Sequence, residues 1–127
     1  MKHSTKKFVL QELADYKENC MEIIRIQEQI KNLRCSGKAE LTNRELQRLF
    51  LRQEYLERAI AAIDDLRAAL NEDLLLLFNE KFLNRPSLQD KTIIARLNVS
   101  RAKFYKDLDL ICKMLADRLG LSYKTSP

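Results

Sequence analysis

Ser100, Arg101, Lys103, Tyr105 and Lys106 stand close together in a segment whose side chains suit the recognition of a polyanion rather than bond making. An arginine can read a guanine edge with two hydrogen bonds, lysines neutralise phosphates, and a tyrosine can reach a phosphate or a thymine methyl. Ser100 is the natural N-cap of the helix that carries them, and amides at a helix N-terminus donate to an anionic oxygen. Lys91, Arg96 and Lys113 lie near enough to track a phosphate backbone beside them.

Such residues are useful only if the chain around them is rigid. The run from Ser87 to Lys106 reads as a short helix, a tight turn and a second helix. Ser87 is expected to cap the first helix with Asp90 completing a capping box, and Pro86 delays helix entry. Ile93, Ile94 and Leu97 give an apolar face at helical spacing. Asn98 tolerates the left-handed turn conformation, and Val99 plugs the turn into the core. Phe104, Leu108, Ile111, Leu115 and Leu119 form one long stripe on the second helix, which Gly120 is expected to end. This is the pattern of a helix-turn-helix, whose second helix enters the major groove. Two details depart from it. Ile94 stands where a small residue is usual at the helix crossing, and Asp107 and Asp109 limit how closely the middle of the second helix approaches phosphates.

The charge is unevenly distributed. Residues 1–84 carry 14 Lys+Arg and 14 Asp+Glu, whereas residues 85–127 carry 9 and 4, so the formal excess of +5 lies with the motif. A localised cationic excess is the footprint expected of a nucleic-acid interface.

The 127 residues include 46% hydrophobic positions but only two Gly and two Pro, and no alternating β pattern occurs, so the chain reads as all-α. No segment is apolar for long enough to span a membrane, and Met1-Lys2-His3-Ser4 does not open a signal peptide. Cys20, Cys35 and Cys112 are odd in number and scattered, which suits reduced thiols in a cytoplasmic protein. With His3 the single histidine, no zinc site, Gly-rich phosphate loop or nucleophile–base pair assembles, so neither a cofactor, a small-molecule substrate nor an enzymatic activity is expected.

The first half carries a second signal. Val9, Leu13, Tyr16, Cys20, Ile23, Gln27, Ile30 and Arg34 step by four and three along one helix. Leu46, Leu49, Gln53, Leu56, Ile60, Ile63, Arg67 and Leu70 do the same along another. Ser36-Gly37-Lys38 separates them, and Thr42 with Glu45 is the expected capping box of the second. These stripes predict an antiparallel, coiled-coil-like hairpin over residues 1–70, with a trihelical helix-turn-helix domain over residues 71–127. Folding near residue 40 sets Gln27 opposite Gln53, and a hydrogen bond between them would fix the register. The alternative places both glutamines at a water-exposed edge. Ile24, Ile26, Leu33, Phe50, Leu51, Tyr55 and Leu66 fall outside the seam. They imply packing on the C-terminal helices or pairing with a second copy, and a homodimer is the expectation.

A helix from about Glu72 to Leu83, capped by Asn71, should place Phe78 and Phe82 on one face as the first helix of the trihelical unit. Arg85, in its exit turn, is either a phosphate contact or a solvated turn residue.

Glu80-Lys81-Phe82, the run Ile94-Ala95-Arg96-Leu97-Asn98-Val99-Ser100-Arg101, Phe104-Tyr105 and the closing Leu115-Ala116-Asp117-Arg118-Leu119-Gly120-Leu121 resemble the ArpU/RinA-type phage regulators. The resemblance covers about residues 72–121, and the preceding half matches only as helical and charged. It implies a helix-turn-helix similar to region 4 of bacterial sigma factors, control of late phage genes inside a bacterial host, double-stranded DNA as ligand, and RNA polymerase as a further partner. It also implies Ser100, Arg101, Tyr105 and Lys106 as the DNA-facing set. A phage small terminase subunit, which recognises DNA for packaging, and a helical adaptor that binds no DNA are the other functions the sequence admits.

Overall fold

A computed structural model describes residues 3–35, 39–84 and 87–121 of the chain. It is all-helical: α1 (His3–Arg34), α2 (Ala39–Ala68), α3 (Glu72–Phe78) continued by a π-helical turn (Asn79–Asn84), α4 (Asp90–Leu97) and α5 (Arg101–Arg118). No strand occurs among the described residues, and no helix is long and apolar enough to cross a membrane.

α1 and α2 lie against each other in opposite directions. Ile26 and Ile30 pack with Leu49 and Leu56 at one end. At the other, Val9, Leu13 and Tyr16 meet Ile63 and Leu66. This second end does more than close a helix pair. The same cluster continues into Leu74, Leu77, Phe78 and Phe82, then Ile93, and finally Phe104, Leu108, Ile111, Cys112 and Leu115. One core therefore joins the open end of the long pair to α3, α4 and α5. Burying those residues together gives the long pair apolar cover that two helices alone cannot supply.

The stripes on the long helices turn as they proceed. The first half of α1 faces α2 and the C-terminal helices together, whereas its second half faces α2 alone. The buried line accordingly leaves Cys20 and Ile23, both half-buried, and moves onto Ile26 and Ile30 with Leu33 partly covered. Gln27 points where the C-terminal helices no longer reach and is exposed. The expected Gln27–Gln53 bond does not form: the Gln53 amide donates to Glu57 on its own helix at 2.8 Å. Gln27 thus follows the water-exposed alternative. Ile26 and Leu66, expected outside the seam, are core residues at 3% and 0% exposure.

Other polar contacts bridge the two helices. The Tyr16 hydroxyl donates to Asp64 and accepts from Arg67 Nη1 at 3.0 Å. The Arg67 guanidinium lies over the Tyr16 ring at 5.7 Å and the Phe78 ring at 5.5 Å, tying α1 and α2 to α3. Tyr55 donates to the buried Glu12, and Arg52 grips Glu22 through Nε at 3.3 Å and Nη2 at 3.2 Å. Burial, and then the bond to Asp64, push the Tyr16 hydroxyl up to about 12. The bond to Glu12, followed by burial, does the same to Tyr55. Both hydroxyls therefore remain donors up to about pH 12.

Helix boundaries follow local chemistry, with two corrections. Asn71 caps α3 by accepting from the Leu74 amide at 2.9 Å. Ser100 caps α5 by accepting from the Lys103 amide at 3.1 Å. α4, however, begins only at Asp90 with Gln89 as its N-cap and no side-chain capping bond, so the expected Ser87–Asp90 box is not used. Asp90 instead holds Lys81 of the π-helical turn, a tertiary ion pair that outweighs the local box. α2 begins at Ala39, which places Thr42 inside the helix rather than at its cap; Glu45 pairs with Arg48.

Asn98 has φ 54° and ψ 48°, the left-handed conformation. Its amide bonds the Ala95 carbonyl at 3.2 Å and the Val99 amide bonds Ile94 at 3.4 Å, which together close α4 with a Schellman-type turn. Asn98→Gly should leave stability unchanged or raise it, whereas Asn98→Val should cost about 1–2 kcal/mol, because only the valine Cβ clashes in this conformation. Urea midpoints measure both, and equal stability of the two variants would refute the strain at this turn.

Candidate nucleic-acid interface

The α4–turn–α5 segment is held from below by Ile93 and Phe104, both fully buried. Ile94, Leu97 and Val99 are partly buried against the same core. Ala95 is exposed, and the inner contact of α4 is made by Ile93 with Ile94 partly buried beside it. Phe104, Leu108, Ile111 and Leu115 bury the inner face of α5. The opposite face is left with Ala102, Lys106, Leu110 and Lys113, all exposed.

The candidate cations divide into two sets. Arg96 Nε is 2.7 Å from Glu80 Oε1. Lys103 Nζ is 2.9 Å from Asp107 and 3.9 Å from Asp73, and its hydrogen bond to Asp107 pushes the ammonium above its ordinary range. These two are held by acids of the fold itself. Lys91, Lys106 and Lys113 are exposed and make no ion pair among the described residues. The Arg101 guanidinium rests 5.6 Å from the centre of the Tyr105 ring. Tyr105 meets Phe104 edge-on at 5.1 Å, and its hydroxyl donates to Asp90 at 3.3 Å. Arg101 and Tyr105 are thus oriented together, on the side of α5 that adjoins α4. Ser100 is at the surface with its hydroxyl used in capping. Arg85 lies outside the described residues.

Tyr105, Lys106, Leu110 and Lys113 line an open groove of ≈ 560 Å³ along α5, which Lys6 of α1 closes from the side. Lys6 Nζ is 3.7 Å from Asp109 Oδ1. Of the two acids in the middle of α5, Asp109 is therefore countered from another helix and Asp107 from its own.

Three features of this surface are absent from the sequence-level set: the exposed Leu110, the Asp90 contact to Tyr105, and the approach of Lys6. Leu110 has a signal, since it falls off the Phe104–Leu108–Ile111–Leu115 stripe. The Glu80–Arg96 and Lys6–Asp109 pairs join residues far apart in the chain and have none. Among the described residues, no group of three or more His, Cys, Asp or Glu side chains is placed to hold a metal ion. Chemically, the surface offers exposed ammonium groups, a stacked guanidinium and a phenol around an open groove. Comparison with protein-family models, with curated proteins and with solved structures finds no match to this chain.

Proposed function

We propose that this chain is a sequence-specific regulator that binds double-stranded DNA through α5, using α3, α4 and α5 as a trihelical helix-turn-helix carried by the α1–α2 hairpin. The observation that carries the reading is the outward face of α5. Lys106 and Lys113 stand there without acid partners among the described residues, beside an Arg101–Tyr105 pair, on a helix anchored by a left-handed Asn98 and a Ser100 cap. A rigid helix with free cations on its exposed side is what insertion into a major groove requires. Arg101 and Lys106 are assigned to base edges, Tyr105 to a phosphate or a thymine methyl, and Lys91 and Lys113 to the backbone. Arg96 and Lys103 are already bonded within the protein and so contribute less than the sequence implies.

Dimerisation is part of the proposal. Ile24 is 67% exposed and Leu51 61%, with Phe50 also exposed on the part of the long pair remote from the C-terminal helices, and a second copy would cover them. Regulation of late phage genes in the bacterial cytoplasm, with RNA polymerase as a partner, is the role that the resemblance to ArpU/RinA-type regulators suggests for such a dimer.

The test is fluorescence anisotropy with a labelled random duplex at several salt concentrations, for the wild type and an Arg101→Ala/Lys106→Ala variant. Salt-dependent binding that the variant loses supports the reading, and no binding at low salt discards it. The acid pairing supplies a second expectation. Asp107→Asn removes the closer of the two acids that hold Lys103 and leaves only the 3.9 Å contact to Asp73, so random-duplex affinity should rise and the log–log salt slope should steepen, by up to about 1. An unchanged slope would show that Lys103 does not face DNA.

A further inference from the structure

We infer that the DNA-contacting surface does not end with the C-terminal helices: the first turns of α1 belong to it, with Lys6 and Lys7 contacting phosphates beside those reached by α5. The inference rests on the duplex-DNA reading above and extends it to residues that lie about a hundred positions earlier in the sequence.

Lys6 is the hinge of the argument. It borders two grooves at once. One runs along α5 with Lys106 and Lys113. The other, of ≈ 450 Å³, lies between α1 and the π-helical turn with Lys7 and Lys81. The cations therefore form a track across three elements, α1, α5 and the π-helical turn, and do not converge on one pocket. Spread charge of this kind matches an extended polyanion, whose phosphates repeat along a strand, better than a small anion. Lys6 also stands 3.7 Å from Asp109, and so counters an acid that would repel phosphate from the middle of α5. Lys7 is exposed. Lys81 is bonded to Asp90, which offsets its charge, and it is not counted among the phosphate contacts.

The test uses the full chain and a short labelled duplex of random sequence, comparing wild type, Lys6→Gln/Lys7→Gln and Lys106→Gln/Lys113→Gln across a salt series. Removing two phosphate contacts should make the log–log slope shallower by about 2, with equal loss on every sequence and an unchanged thermal midpoint. A Lys6→Gln/Lys7→Gln protein that binds like wild type, while Lys106→Gln/Lys113→Gln is weakened, overturns the role of α1 and leaves the DNA reading intact. Absence of wild-type binding overturns both. A Lys6→Gln/Asp109→Asn variant separates contact from neutralisation. Its slope should stay shallower than wild type by about 1; full recovery would reduce Lys6 to a countercharge and overturn its phosphate contact.

Discussion

Phe78→Ala should lower the stability of the protein by about 3–5 kcal/mol, the range for deleting a fully buried aromatic side chain. Phe78 is 0% exposed. It meets the Tyr16 ring edge-on at 6.2 Å, the Phe82 ring at 5.3 Å and the Arg67 guanidinium at 5.5 Å. These partners come from α1, α2 and the helix that continues α3, so the cavity would open where three parts of the chain join. Their long helices restrict how far they can collapse into it. The thermal midpoint should fall by roughly 10–20 °C, enough to unfold much of a marginally stable protein near physiological temperature. Leu110→Ala is the control: Leu110 is 44% exposed, and surface changes usually stay within about 0.5 kcal/mol. A Phe78→Ala loss below about 1 kcal/mol would mean that the α1–α2 pair and the C-terminal helices do not share a core.

The second large effect concerns DNA. Among the described residues, Lys91, Arg101, Lys106 and Lys113 are the cations near the turn that no acid holds. If each displaces one counterion, wild-type binding to random duplex should show a log–log salt slope of about −4, and Lys6 and Lys7 would steepen it further. On a selected operator, Arg101→Ala/Lys106→Ala should reduce affinity by roughly two to four orders of magnitude, since about 1–3 kcal/mol attaches to each of the two base contacts. The single Arg101→Ala variant discriminates more finely. Loss on a selected operator with little loss on random duplex supports base reading, while equal loss on both reassigns Arg101 to phosphate. The Arg101–Tyr105 stack sharpens this expectation, because a guanidinium held against a ring is already restricted before it meets a base. Tyr105→Ala should then weaken operator binding through Arg101 as well as through its own contact.

The Gln27–Gln53 expectation failed for a specific reason. A heptad stripe assumes that one helix face sees one partner along its whole length. α1 sees α2 and the C-terminal helices together over its first half and α2 alone over its second, so the centre of burial moves around the helix. No spacing rule within α1 contains that information. The Tyr16–Asp64–Arg67 contacts, which do cross the pair, rest on side-chain reach over a shared core and not on a repeat. Ser87 and Asp90 teach the same lesson locally. Their spacing fits a capping box, yet Lys81 draws Asp90 into a tertiary ion pair and α4 starts later.

The sequence by itself determined the helices, the inner faces of α4 and α5, the caps at Asn71 and Ser100 and the left-handed turn at Asn98. Each depends on neighbours within a few positions, where helical periodicity and capping chemistry act. It also determined that the net positive charge lies in the last third of the chain. Only the tertiary structure decided which cations are free. Glu80 reaches Arg96, Asp73 and Asp107 hold Lys103, and Lys6 crosses from α1 to Asp109. Charge composition is additive along a chain, but an ion pair depends on a distance of a few ångströms, and three of those four partners are brought together by the shared core alone.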